Sequence, residues 1–103
     1  MKNVKRGLKA VGLTELEANV YLTLLRMKRS RVTRLAEDAG ITRTQLYPLL
    51  EKMMEKGYVK RIKDSPAEYS VIETEKMEEM LESWLKEHTK LLENVRDFLR
   101  KAG

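Results

Sequence analysis

The chain has 103 residues, 42% of them hydrophobic, which suits one domain with a modest core. It has no cysteine, so disulfides and thiolate metal sites are excluded, and no apolar run approaches the roughly 18 residues that a bilayer span needs. The net charge of +5 is uneven: residues 1–63 carry 15 Lys+Arg against 6 Asp+Glu, and residues 64–103 carry 6 against 10. A basic part of this kind points to a polyanionic partner such as nucleic acid. The start of the chain lacks the apolar stretch and small-residue cleavage site of a signal peptide, so a cytoplasmic protein is expected.

In chain order, Leu8 to Val11 close a short basic helix that Gly12 ends. Thr14 with Glu17 reads as a capping box, in which each residue's side chain satisfies the other's backbone N–H. Leu16, Val20, Tyr21, Leu24 and Leu25 follow at helical spacing, which predicts a first main helix to about Met27. Residues 28–32 carry no helix signal, and Val32 is expected in a very short strand. Thr33 is the expected N-cap of a helix over 34–39, with Gly40 as its stop. Thr42 with Gln45 repeats the capping-box pattern, and a third helix is predicted to about Lys56, before Gly57. Tyr58 to Ile62 alternates as a strand does, residues 63–67 form a turn, and Glu68 to Ile72 returns. A hairpin this small needs the helices to rest on. Thr74 is the expected cap of a long last helix over about 75–100.

The order helix, helix, Gly-containing turn, helix, hairpin is that of a winged helix-turn-helix. Leu46, Leu50 and Met53 share the core side of the third helix. Its other side offers Arg43, Thr44, Gln45, Tyr47 and Pro48 for base readout. An arginine forks onto guanine and a glutamine onto adenine, and the first turn of such a helix meets base edges. Equally, Arg43 and Gln45 are ordinary helix-start residues, with Gln45 serving the cap. Pro48 conflicts with a helix begun at Thr42, because it lacks the N–H for the Thr44 carbonyl, so a kink or a late start is expected. Arg26, Lys28, Arg29, Arg31 and Arg34 form one basic cluster, and Lys60, Arg61 and Lys63 a second. DNA phosphates are the expected targets of Arg29, Arg31, Arg34, Lys52, Lys60, Arg61 and Lys63.

Along the last helix Met77, Leu81, Trp84, His88, Leu91, Val95 and Phe98 recur at spacings of four and three, a heptad seam. Leu85, Leu92 and Leu99 widen it. The expected partner is the same helix of a second chain, with folding back on its own domain as the alternative. His88 has no metal partners and reads as a register or interface residue.

With these elements in place the chain resembles the N-terminal DNA-binding part of the TrmB family of archaeal transcription regulators. The resemblance is carried by Gly12 to Ala18 with Tyr21-Leu22, by Leu35-Ala36, by Gly40 to Val59 and by Pro66 to Tyr69. Tyr47-Pro48 also resembles the recognition helix of PadR regulators. The resemblance implies a winged domain followed by a dimerisation helix. Where the family has a glycine-containing turn near 29–31, this chain has Arg-Ser-Arg. Full-length members carry a sugar-binding domain beyond the helix, and sugar sensing is not expected of this chain.

The expected fold is mainly α with a small β hairpin: a DNA-binding domain over 1–73 and a dimerisation helix over 74–103. The expected function is sequence-specific binding of double-stranded DNA by a homodimer, with no cofactor, no metal, no membrane and no small-molecule effector. The alternative is a winged-helix protein-interaction module of a transcription complex. An enzyme is a poor reading, with one histidine, no cysteine and no glycine-rich phosphate loop.

Overall fold

Two capping boxes set the frame of the computed structural model, which describes residues 2–103. Helix α1 (Lys2–Ala10) buries Leu8, and Gly12, at φ 113°, turns the chain so that the Leu13 N–H reaches the Leu8 carbonyl at 3.1 Å. Helix α2 (Glu15–Met27) starts on the first box: Glu17 N–H donates to Thr14 Oγ1 at 3.2 Å, and Thr14 N–H to Glu17 Oε1 at 2.8 Å. It buries Ala18, Val20, Tyr21 and Leu24, whereas Leu16 and Leu25, expected on the same face, stand about half exposed.

Strand β1 (Arg29–Arg31) leads directly into α3 (Val32–Ala39). The cap of α3 is therefore Arg31, already extended as the last strand residue, and Thr33 lies inside the first turn instead of capping it. The short strand expected at Val32 sits just before it. Gly40, at φ 73°, reverses the chain and lets the Ile41 N–H close on the Ala36 carbonyl at 3.1 Å. Helix α4 (Arg43–Glu55) begins on the second box with Pro48 inside it, so of the kink or late start expected the late start does not occur.

Strands β2 (Val59–Asp64) and β3 (Ala67–Val71) form the hairpin, turning at Ser65-Pro66. The hairpin does not stand as two strands, because β1 pairs with β3 and completes an antiparallel sheet in the order β1-β3-β2. A bulge between Arg61 and Lys63 shifts the β2 register. Helix α2 touches α1, α3, α4, β1 and β3 and so lies at the centre of the first compact unit, which extends to Ile72. Val20, Leu24, Leu35, Leu46, Leu50 and Met53 are fully buried there. Each such side chain contributes about 1.5–3 kcal/mol of burial.

Residues 73–103 form a second unit that is essentially α5 (Thr74–Ala102). Its cap position is Glu73, without a side-chain cap bond, and Thr74 is its first residue instead of its cap. Its 29 residues span roughly 43 Å at the usual helical rise.

Candidate nucleic-acid interface

The start of α4 is exposed. Leu46, Leu50 and Met53 are buried on one side, while Arg43, Thr44, Gln45, Tyr47, Pro48 and Lys52 stand open on the other. Gln45 is partly committed: its Oε1 accepts from the Thr42 N–H at 3.0 Å and from the Thr42 hydroxyl at 3.2 Å. A fork onto adenine needs that oxygen as well as the amide nitrogen, so Gln45 cannot cap and fork at once. Arg43 lies along its own helix, with Nη2 donating to the Tyr47 hydroxyl at 3.3 Å.

The sheet sorts the remaining cations by face. Opposed residues of antiparallel strands point the same way, and the register opposes Arg29 to Ser70, Arg31 to Glu68, Lys60 to Ser70 and Lys63 to Glu68. The outer face therefore carries Arg29, Arg31, Lys60 and Lys63 around the one acid, Glu68. Ser30, Val59 and Tyr69 occupy the other face and are buried. Arg61 belongs to that inner face. Its Nη2 donates to the Tyr69 hydroxyl at 3.1 Å, and its guanidinium lies 5.4 Å from the Tyr69 ring centre. The Tyr69 hydroxyl raises the pKa of Arg61 further. The wing cluster seen in the sequence is thus split between two faces.

Acids reach the cations from outside the local sequence. Glu68 receives Arg29 Nε at 3.2 Å on Oε1 and Lys63 Nζ at 3.4 Å on Oε2. Burial pushes the Glu68 pKa up, but the Lys63 charge and the hydrogen bonds from Lys63 and Arg29 outweigh it and leave it lowered. Arg34 Nε lies 3.8 Å from Asp38. Among the described residues, no carboxylate pairs with Arg31 or Lys52. Glu68 is the residue that sequence reading overlooked: simple alternation sets Ile62 opposite it, and the bulge brings Lys63 there instead.

Arg31 links two shallow depressions. One, of about 420 Å³, is bounded by Arg29, Arg31, Arg34 and Asp38. The other, of about 270 Å³, is bounded by Arg31, Thr33, Arg43, Tyr47 and Pro66. Wing tip, α3 start and α4 start thus converge on one basic surface. Among the described residues no three His, Cys, Asp or Glu side chains are grouped to hold a metal ion. No helix among them is long and apolar enough to cross a membrane.

On α5 the apolar seam is mostly uncovered. Leu81, Leu91, Val95 and Phe98 are exposed, as are the flanking Leu85, Leu92 and Leu99, with Phe98 at 70%. Met77, the first residue of the seam, is buried. Trp84 and His88 are half buried and stack on each other at 4.0 Å between ring centres. His88 Nδ1 lies 2.8 Å from the Trp84 carbonyl, which only accepts, so Nδ1 carries the proton.

Three helices with a Gly-containing turn, a three-stranded sheet with a projecting hairpin and a long following helix define a winged helix-turn-helix protein. The family profile described as "sugar-specific transcriptional regulator TrmB" matches residues 8–75, and the chain belongs to the TrmB family. The sugar-sensing transcriptional regulator TrmBL1 of Pyrococcus furiosus is 31% identical over 74 residues, covering 72% of this chain and 22% of its own length. The chain thus spans about a fifth of that relative. A crystal structure of a protein from Sulfolobus tokodaii matches with a TM-score of 0.75 at 21% identity, covering 88% of this chain and 96% of that one. A possible transcriptional regulator from Methanosarcina mazei matches with a TM-score of 0.76 at 16% identity, over 91% and 86%. At these identities the two structures show the shared fold.

Proposed function

We propose that the protein is a cytoplasmic transcription regulator that binds double-stranded DNA sequence-specifically as a homodimer. Residues 1–73 form the DNA-binding part and residues 74–103 the dimerisation helix. The observation that carries this reading is the basic surface joining the exposed start of α4 to the wing through Arg31. Arg43, Thr44, Gln45, Tyr47 and Pro48 meet base edges in the major groove, a role supported by their exposure at the first turns of α4. Arg29, Arg31, Arg34, Lys52, Lys60, Arg61 and Lys63 hold phosphates, and Arg31 and Lys52 do so without first giving up a carboxylate. Sugar sensing, which the names of the family and of the relative state, is no part of the proposal, which rests on the matched segment alone.

The test is selection of bound sequences from a random duplex pool, followed by affinity measurements across a salt series. Recovery of a near-palindrome with half-sites about one helical turn apart is expected. Affinity should fall steeply with salt, because each phosphate contact releases condensed counterions. Absent or salt-insensitive duplex binding would instead favour a winged-helix module that binds another protein.

A further inference from the structure

Glu68 sits where a DNA phosphate would be expected. It is the one acid on an outer sheet face that also holds Arg29, Arg31, Lys60 and Lys63. Its two oxygens are divided between two strands, Oε1 to Arg29 Nε and Oε2 to Lys63 Nζ. A phosphodiester presents the same pattern: one negative charge shared by two unbridged oxygens. The exposures run in a telling order, with the Glu68 side chain 15% exposed and those of Arg29 and Lys63 55% and 58%. The acid is sunk and the cations rise around it, so an anion arriving from solvent meets the cations first. Only Nε of the Arg29 guanidinium is engaged by Glu68, and Lys63 spends one contact of its ammonium. Both cations retain donors for a second acceptor. Arg31, opposite Glu68 on β1, also borders the depression at the start of α4, which places this site on the same surface.

We propose that Arg29 and Lys63 form a phosphate site of the DNA interface, and that Glu68 occupies it in the free protein as an internal competitor. The proposal rests on the duplex-binding reading. Binding then requires a phosphodiester to take over donors that Glu68 holds, which lowers the affinity for any duplex whatever its sequence. A contact that weakens all duplexes alike leaves discrimination to the base-reading residues of α4. Glu68 is therefore a determinant of overall duplex affinity that touches no base, and the ratio between sequences is left to α4.

The variant is Glu68→Gln, which keeps the side chain's size and removes its charge. Its affinity for a non-specific duplex should rise several-fold at moderate salt. The slope of log affinity against log salt should steepen by about 0.9, the share of the one cationic charge that Glu68 no longer neutralises. Adding Arg29→Ala and Lys63→Ala to Glu68→Gln should abolish the gain. A folded Glu68→Gln protein with unchanged or weaker duplex binding overturns the proposal and reduces Glu68 to a cross-strand structural contact. If the variant does not fold, the wild type decides. The Arg29 Nε–H and Lys63 side-chain resonances must move when a short non-specific duplex is added, and resonances that stay in place overturn it. If the wild type binds no duplex at any salt, the DNA reading has failed separately. Inorganic phosphate then judges the site: it should shift Arg29 Nε–H in Glu68→Gln at concentrations that leave the wild type unmoved, and no shift overturns the proposal.

Discussion

Glu17 shows how one buried acid ties the first unit together. It is 1% exposed, yet its Oε1 takes the Thr14 N–H at 2.8 Å and Lys56 Nζ at 2.5 Å. Lys56 also donates to the Gly12 carbonyl at 2.8 Å, and Tyr58 to the Val11 carbonyl. The C-terminal end of α4 is thereby fastened to the start of α2. Burial pushes the Glu17 pKa up, but the hydrogen bonds from Lys56 and Thr14 and the Lys56 charge prevail, and it lies below the usual carboxylate value. A lowered native pKa stabilises the fold above the unfolded value, and that stability is lost as pH falls through the native value. Urea midpoints of the wild type should therefore drop as pH is lowered below about 4.3, the ordinary glutamate value. Lys56→Ala should cost roughly 3 kcal/mol at neutral pH, because it strands a buried charge. An acid limb with the wild-type steepness in Lys56→Ala would dissociate the pH effect from this pair. At the start of α4, cap and readout separate by substitution. Gln45→Ala should lose about 1 kcal/mol of stability with its half of the capping box. Arg43→Ala should leave the melting temperature in place, lose roughly 1–3 kcal/mol on the selected duplex and relax one base position. Equal loss on all duplexes would reassign Arg43 to the backbone.

At the scale of elements, legibility in the sequence followed how local each signal is. Both capping boxes, Thr14 with Glu17 and Thr42 with Gln45, carry the full reciprocal pair, and both cap. Thr33 and Thr74 carry only half: three residues on stand Ala36 and Met77, which cannot reach back, and neither threonine caps. Strand β1 has no strand composition at all. Arg-Ser-Arg is extended because β3 pairs with it, 39 residues away at Ser30 and Tyr69, and no local pattern announces that. The register also explains why Glu68 went unseen as a partner of Arg29. The turn into β1 carries a further consequence. Lys28 holds φ 73° and ψ −50°, a conformation that L side chains rarely adopt, and glycine is the residue that adopts it without strain. Family members resembled by the sequence place a glycine-containing turn near this point, and the structure locates the strained position at Lys28. Lys28→Gly should raise stability by about 1 kcal/mol, within the usual range of such strain. A lower urea midpoint would show that the lysine side chain contributes more than its backbone costs.

For the whole molecule the question is what covers α5. The first unit has its own closed core, with Leu24, Leu35, Leu46 and Met53 at 0% exposure. On α5, by contrast, Leu85, Leu91, Leu92, Val95, Phe98 and Leu99 are all more than half exposed. Monomeric soluble proteins rarely leave so much apolar surface contiguous, and a lone helix gains little stability from propensity alone. The heptad spacing of Leu81, Leu91, Val95 and Phe98 suits the same helix of a second copy, which supplies an identical apolar stripe. Two-fold closure is the commonest arrangement for such an interface, and it presents two α4 helices to one duplex. In the proposed dimer each leucine so buried would contribute about 1.5–3 kcal/mol, and such a seam would outweigh any single polar contact of the chain. Leu91→Glu places two carboxylates in that seam, where their desolvation is uncompensated, and it should dissociate the dimer at micromolar concentration. Leu91→Ala should weaken it less, by about 2–5 kcal/mol for a fully buried site. Sedimentation equilibrium should return a dimer mass for the wild type and a monomer mass for Leu91→Glu, whose first unit stays folded by circular dichroism. Duplex affinity for a palindromic site should fall with the dimer, while affinity for an isolated half-site holds. A monomeric wild type would remove the dimer from the proposal, and a Leu91→Glu protein that remains dimeric would move the interface away from this seam.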